Sequence, residues 1–171
     1  MMKLKSAALA ALIAGFAAFV AGCSQSGANP DSAQLASSDR NGINAPATPG
    51  SRRDFAQNVG DLVYFSTDSS DLTPEAQQTL RAQAQWLNRY PQFTITVEGH
   101  ADERGTREYN IALGARRATA VRDFLARSGV DPRRLRTISF GKERPVAVCN
   151  DISCWSQNRR AQTILNSRTD S

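Results

Sequence analysis

The stretch that most constrains the fold is a predicted strand, a charged loop and a predicted helix that follow one another without a break. The strand, Phe93–Glu98, alternates apolar and polar residues, as a half-buried strand does. Gly99 and Gly105 bracket the loop, which contains the side chains of His100, Asp102, Glu103 and Arg104. Because ligands tend to dock at the carboxyl ends of strands in α/β sheets, this loop is the first candidate for a binding site.

The helix that follows places Asn110, Gly114 and Arg117 on one face, since they are four and three residues apart. Asn110 is a plausible helix-start residue. Arg117 lies at the edge of the apolar face, and a half-buried arginine needs an anionic partner. The residues alone leave two alternatives for that partner: Asp102 in an internal ion pair, or a ligand carboxylate that Arg117 shares with Asp102.

A long motif runs from Gly99 to Ala118 and reads G-H-A-D-E-R-G-T-R-E-Y-N-I-A-L-G-A-R-R-A. It resembles the peptidoglycan-binding OmpA-like domain, and its D-E-R-G-T and E-Y-N forms are similar to the Pal branch, the peptidoglycan-associated lipoproteins. The resemblance covers roughly Leu62 to Leu165. It implies non-covalent binding of peptidoglycan by a protein that is not an enzyme and that needs no metal or cofactor.

The same resemblance implies which residues bind the ligand, the diaminopimelate of the peptide stem. The distal end of diaminopimelate carries an ammonium and a carboxylate on one carbon. Asp102 suits the ammonium, and the planar fork of Arg117 suits the carboxylate. Many family members carry an aspartate where Ser66 stands, and a serine cannot supply that charge. The expected diaminopimelate-binding residues are Asp102, Arg117, Asn110, Arg159, Ser66 and Arg104.

The beginning of the chain predicts export and lipidation. Lys3 and Lys5 precede a short apolar run, and small residues follow it, as in a secretory signal. A transmembrane anchor is the alternative, but the run is shorter than the roughly 18 residues that favour a span. The ending V-A-G-C resembles a lipobox, which implies a signal peptide at 1–22 and lipidation of Cys23. Ser24, in the place where an aspartate would be a retention signal, implies an outer-membrane location facing the periplasm.

Composition separates a tether from a folded domain. Residues 23–53 are rich in Ser, Ala, Asn, Gly and Pro and nearly lack large apolar residues, so they predict a disordered, flexible linker. Residues 54–171 predict one α+β domain of order β-α-β-α-β-β, with the helices packed on one face of the sheet. Its predicted strands are Leu62–Phe65, Phe93–Glu98, Arg136–Phe140 and Arg160–Asn166, and an irregular connection covers 141–157.

Two cysteines remain in the late connection, Cys149 and Cys154. An even pair in an exported protein is most simply a disulfide. Metal binding is the alternative, but His100 is the single histidine of the chain. A disulfide here would fix the segment that leads into Arg159.

Three classes of function compete. A hydrolase would need a nucleophile and a base, or a metal with an open position, and His100 is expected to pack in the loop instead. A flagellar stator would need a true transmembrane helix. The net charge of +5, with no basic run interleaved with aromatics, does not indicate nucleic-acid binding. The resemblance favours a wall-binding lipoprotein of the Tol–Pal system, with a TolB-like periplasmic propeller protein and other Tol–Pal components as partners, that tethers the outer membrane to the wall in division. The alternative is an OmpA-like wall-binding lipoprotein outside the Tol–Pal system.

Overall fold

The computed structural model describes residues 46–167. The predicted signal peptide, the lipidation of Cys23 and most of the predicted linker lie outside the described residues. Part of that linker, residues 46–53, is described and contacts the domain. The side chain of Ser51 caps a short helix, Arg52–Asp54, and a π-helical turn, Phe55–Val59, follows it directly. The carboxylate of Asp54 accepts a hydrogen bond from Trp86 Nε1 at 2.8 Å, which joins this segment to the domain.

Four strands form one sheet in the order β1-β4-β2-β3. Strand β4 lies antiparallel to both of its neighbours, whereas β2 and β3 lie parallel. The register between β2 and β3 shifts at Gly99 and His100, where β2 ends and the charged loop begins. The strands are β1 (Leu62–Tyr64), β2 (Phe93–His100), β3 (Leu135–Gly141) and β4 (Arg160–Ser167).

Two long helices follow β1 and β2, and local signals set where they begin. Helix α1 spans Pro74–Arg89, and Thr73 Oγ1 accepts from the backbone N–H of Ala76 at 3.2 Å. Helix α2 spans Arg107–Arg127, and Gly129, with φ of 94°, follows its end. Among residues 46–167, no helix is long and apolar enough to cross a membrane.

The late connection contains a helix that the sequence did not predict. A short 3-10 turn, Pro132–Arg134, leads into β3, and helix α3, Ile152–Asn158, then precedes β4. Residues 141–157 were predicted to be irregular, so the prediction is wrong for α3. A helix of seven residues is too short to show a clear apolar periodicity in the sequence. It is also too short to be stable alone, so tertiary contacts stabilise it.

The core lies between the two long helices and one face of the sheet. Ile95 and Val97 of β2 point to this face and are fully buried. The predicted α+β fold with helices packed on one face is therefore confirmed. The helices contribute the buried residues Leu80, Ala84 and Leu87 from α1, and Ala118, Val121 and Leu125 from α2.

Helix α2 approaches β2 so closely that two glycines face each other. A Cβ atom on Gly114 would lie 2.8 Å from the carbonyl oxygen of Gly99 and would overlap the hydroxyl of Ser139. That hydroxyl donates to the carbonyl of Ile111 at 2.7 Å, so it is not free to move away. The glycine pair thus fixes how deeply the start of α2 sits against the strand that leads to the charged loop.

We expect Gly114→Ala to lower the free energy of unfolding by about 2 kcal/mol. Alanine gains about 1 kcal/mol of helix propensity, but overpacking a tight contact costs about 1–3 kcal/mol, and more where backbone lies opposite. Urea denaturation of the full chain measures the difference. The control Ala115→Gly, at an exposed position of the same helix, should cost no more than about 1 kcal/mol. A stabilised Gly114→Ala variant would show that the close approach is absent.

Candidate ligand-binding site

The charged loop is held in shape by side chains that bond its backbone. Asn110 Nδ2 donates to the carbonyls of Arg104 at 2.7 Å and Thr106 at 3.0 Å. Lys142 Nζ donates to the carbonyl of Gly105 at 2.7 Å from the other side. Asn110 was expected to start the helix, but Thr106 caps α2 and Asn110 is buried behind the loop. Asn110 therefore fixes the conformation of the loop.

Asp102 lies between two arginines. Its Oδ1 accepts from Arg104 Nε at 3.1 Å, and its Oδ2 accepts from Arg104 Nη2 at 2.7 Å and from Arg159 Nη1 at 3.4 Å. Burial opposes ionisation, but these hydrogen bonds outweigh it and hold the pKa of Asp102 below its ordinary value. The side chain of Arg104 is 43% exposed, whereas that of Arg159 is 8% exposed. Arg104 is therefore the partner that can move.

Arg117 is fully buried and binds backbone, not an anion. Its Nε donates to the carbonyl of Ser69 at 2.8 Å, its Nη1 to that of His100 at 2.7 Å, and its Nη2 to that of Ser66 at 3.1 Å. The guanidinium also lies 5.1 Å from the ring centroid of Phe65. Burial and the nearby Arg159 lower the pKa of Arg117 to about 10, so it stays charged at neutral pH.

Of the two partners that the sequence left open for Arg117, the internal ion pair with Asp102 does not form, and the guanidinium bonds backbone carbonyls instead. Carbonyl dipoles take the place of the expected anion, and Asp102 bonds Arg104 and Arg159 instead. The physical reason is that carbonyl oxygens at the ends of strands and turns, aimed at one point, can satisfy a guanidinium as a carboxylate can.

The six predicted binding residues fall into three places. Asp102, Arg104 and Asn110 line a pocket of about 250 Å³, which we call the charged pocket. Ser66 and Arg159 line a more open groove of about 530 Å³ beside it, and Arg159 joins the two through its contact with Asp102. Arg117 lines neither and supports the walls from below. The charged pocket is also lined by Thr67, Asp68, Gly105, Tyr109 and Leu113.

Sequence reasoning missed three residues of this region. Asp68 adopts a positive φ of 55° in the turn after β1, and its carboxylate accepts a hydrogen bond from the hydroxyl of Tyr109. The ring of Trp155 lies under the guanidinium of Arg104, 4.2 Å from its carbon. Tyr109 belongs to the E-Y-N part of the motif, which could have indicated it. No spacing in the sequence relates Trp155 to Arg104.

His100 packs in the interior, as expected. It is 1% exposed, its ring stacks on Phe140 at 5.6 Å between centroids, and neither ring nitrogen has a hydrogen-bond partner among residues 46–167. Burial, with Arg160 and Arg144 nearby, lowers the pKa of His100 to about 4. Glu98 Oε2 lies 3.7 Å from Nε2 but does not offset these effects. A buried, neutral imidazole is placed for packing and not for acid–base catalysis at the pocket.

The predicted disulfide between Cys149 and Cys154 is confirmed, with Cα atoms 5.7 Å apart. It joins the connection after β3 to the first turn of α3. Cys154 is buried and Cys149 is partly exposed, so the bridge lies at the surface beside the core and not within it.

Comparison with known proteins gives the class to which this fold and site belong. The model of the OmpA family matches residues 64–166. This range runs from the last residue of β1 to the next-to-last residue of β4 and includes the whole charged loop. The chain therefore belongs to the OmpA family.

Within that family the chain belongs with the peptidoglycan-associated lipoproteins. It is 71% identical over 119 residues to the protein of that name from Agrobacterium fabrum, covering 70% of this chain and 67% of the relative. It is 62% identical over 147 residues to the one from Mesorhizobium japonicum, covering 86% and 85%. The crystal structure of the peptidoglycan-associated lipoprotein from Burkholderia pseudomallei aligns with a TM-score of 0.64 and 40% identity, covering 67% of this chain and 98% of that chain.

These relatives are named for association with peptidoglycan and not for a reaction on it. The expectation that the chain is a binding protein and not an enzyme is confirmed by this family membership.

We expect Arg117→Lys to lower the free energy of unfolding by about 2–4 kcal/mol. One ammonium cannot reach three carbonyls that lie in three directions, and each buried carbonyl left unpaired costs about 1–3 kcal/mol. The matched control is Arg116→Lys at the exposed neighbouring position, which should stay within about 0.5 kcal/mol of the wild type. Equal stability of the two variants in chemical denaturation would contradict this structural role.

A pH titration tests the burial of His100. The unfolded chain takes up a proton near pH 6.5, while the folded protein resists it until about pH 4. Stability should therefore fall as pH drops from about 6.5 to 4, by roughly 3 kcal/mol in total, and not change further from this source below. His100→Gln cannot be protonated and should lack this slope between pH 6.5 and 5. The same slope in both proteins would show that His100 titrates normally.

Proposed function

We propose that this protein is a lipid-anchored, peptidoglycan-binding protein that holds the wall non-covalently through the diaminopimelate of its stem peptides. Membership in the OmpA family and the names of the relatives support the coarser part, a peptidoglycan-binding lipoprotein. The finer part, recognition of diaminopimelate, rests on the charge arrangement in the charged pocket.

The observation that carries the proposal is the Asp102–Arg104 ion pair at the mouth of the charged pocket. The two groups offer one negative and one positive charge, 2.7 Å apart, and Arg104 is partly exposed. The distal end of diaminopimelate carries an ammonium and a carboxylate, so each group of the pair can face a ligand group of opposite charge. The pair is thus a site of matched charge for a zwitterion, with Asp102 facing the ammonium and Arg104 facing the carboxylate.

Binding then proceeds by exchange of ion pairs. Arg104 turns from Asp102 to the ligand carboxylate, and the ligand ammonium takes its place beside Asp102. One ion pair opens and two form, so no charge is left without a partner in the partly buried pocket. Asp102 keeps its bond to the buried Arg159 throughout, which holds the carboxylate in position.

This exchange explains why a lysine-type stem would bind poorly. A lysine side chain can displace Arg104 from Asp102 with its ammonium, but it has no carboxylate to offer in return. One ion pair would then open and only one would form, so Arg104 would be left without its partner and the exchange would gain no ion pair. Discrimination between diaminopimelate-type and lysine-type stems therefore depends on Arg104 as much as on Asp102.

Arg117 has a supporting role in this mechanism. Its bonds to the carbonyls of Ser66 and Ser69 fix the turn that presents Asp68, and its bond to His100 fixes the start of the charged loop. A positive guanidinium below the pocket also favours an anionic group above it. Ser66 contributes its backbone carbonyl to this frame and lines the open groove.

The family and the residues of the predicted signal peptide support a proposal for where the protein is located in the cell. We infer that residues 1–22 are a signal peptide, that Cys23 carries the lipid, and that residues 23–53 link the anchor to the domain. Two or more acyl chains would hold the protein stably, since one chain alone binds weakly. We further propose a place in the Tol–Pal system, with a TolB-like propeller as partner and a role in tethering the outer membrane to the wall during division.

Sedimentation of the full chain with purified sacculi tests the ligand. We expect strong retention on diaminopimelate-type sacculi and weak retention on lysine-type sacculi. Asp102→Asn should abolish the retention, because the ammonium loses its counter-charge. The control is Asp123→Asn, which breaks a more exposed aspartate–arginine pair, with Arg122 at 2.6 Å, away from the pocket, and should bind normally. Equal binding to both kinds of sacculi would overturn recognition of diaminopimelate.

A further inference from the structure

A short helix outside the core is tied down at both ends. The Cys149–Cys154 disulfide joins its first turn to the preceding connection. At its other end, Asn158 Oδ1 accepts from the backbone N–H of Val146 at 2.8 Å, and Asn158 Nδ2 donates to the carbonyl of Ala147 at 2.7 Å. A helix of this length would not persist alone, so these ties define its position.

Trp155 projects from this helix onto the charged loop. The guanidinium carbon of Arg104 lies 4.2 Å above the centre of its ring, and the indole N–H donates to the carboxylate of Glu103. Trp155 thus contacts two consecutive loop residues that lie far from it in sequence. One of them, Arg104, is the residue that turns toward the ligand in the proposed function.

We propose that Trp155 and the Cys149–Cys154 disulfide form a positioning unit that preorganises Arg104 for the ligand carboxylate. This inference rests on the proposed function. It adds Trp155, which contacts Arg104, and the disulfide that fixes the helix of Trp155, and neither is required to contact the ligand. The indole gives the guanidinium a flat surface on which it can turn from Asp102 toward the ligand without leaving the pocket.

The physical basis is the cost of ordering an arginine. A partly exposed arginine has many rotamers, and binding must select one of them. Stacking on a tryptophan, the aromatic ring that binds cations best, selects among them before the ligand arrives. The ring can do this only if its own helix is fixed, which is what the disulfide and Asn158 provide.

The position of the disulfide agrees with this role better than with general stabilisation. A bridge between cysteines five residues apart closes a short loop, and short loops gain the least from a cross-link. Cys149 and Cys154 also lie outside the core cluster that joins the sheet to α1 and α2. The local consequence of the bridge is the placement of Trp155 and of the residues that follow it into β4.

Affinity for diaminopimelate-type sacculi, measured with the full chain, tests the unit. We expect Trp155→Ala to weaken binding roughly three- to tenfold, since one cation–π contact and its ordering effect are lost. Trp155→Phe keeps a ring under Arg104 and should bind within about twofold of the wild type. The double change Cys149→Ser with Cys154→Ser should resemble Trp155→Ala.

A double-mutant cycle separates positioning from stability. If the disulfide acts through Trp155, removing both cysteines in the Trp155→Ala background should cause no further loss of affinity. Trp86, buried in the core away from the site, reports by its fluorescence that each variant is folded. A merely structural disulfide would lower the melting temperature and leave the affinity of the folded protein unchanged, which would overturn the inference.

The outcomes also separate this inference from the proposed function. If the wild type fails to prefer diaminopimelate-type sacculi, the proposed function is wrong. If the wild type shows that preference and folded Trp155→Ala binds equally well, only the positioning unit is wrong. Additive losses from Trp155→Ala and the cysteine changes would likewise overturn it, because they would mean that the disulfide acts elsewhere.

Discussion

The buried guanidinium of Arg117 is the interaction on which the rest of the site depends. It joins two separate pieces of backbone: the turn after β1, at Ser66 and Ser69, and the end of β2 at His100. Helix α2 carries this side chain, so its packing against Gly99 sets the height at which the guanidinium meets those carbonyls. A shift of the helix would therefore disturb every wall of the charged pocket at once.

The electrostatics of the site follow from that arrangement. Arg117 bonds neutral carbonyls directly, while the carboxylates of Asp102 and Asp68 interact with its charge from nearby. Asp102 accepts from two further arginines, Arg104 and Arg159, while Asp68 contributes a second carboxylate across the pocket. Charges of both signs thus line a small volume, which is the observation behind the proposal of a zwitterionic ligand.

The sequence predicted the parts of the fold whose signals are local. Thr73 marks the start of α1 and Gly129 the end of α2, and the alternation in Phe93–Glu98 gives the central strand. The motif also singled out Asp102, which lines the charged pocket. The sequence could not reveal α3, which tertiary ties stabilise, nor the partners of Arg117, because backbone carbonyls brought together by folding leave no trace in the residue pattern.

Two arginines differ in their surroundings, and neither partner that the sequence left open for Arg117 is the one found. A fully buried guanidinium bonded to three carbonyls cannot turn toward a ligand without leaving those carbonyls unpaired, whereas Arg104 is partly exposed and, in the proposed function, exchanges one carboxylate for another. Rigidity is thus concentrated in Arg117 and adaptability in Arg104. If the proposed exchange takes place, such a site keeps its shape when empty and favours only a ligand that replaces both halves of the ion pair that opens.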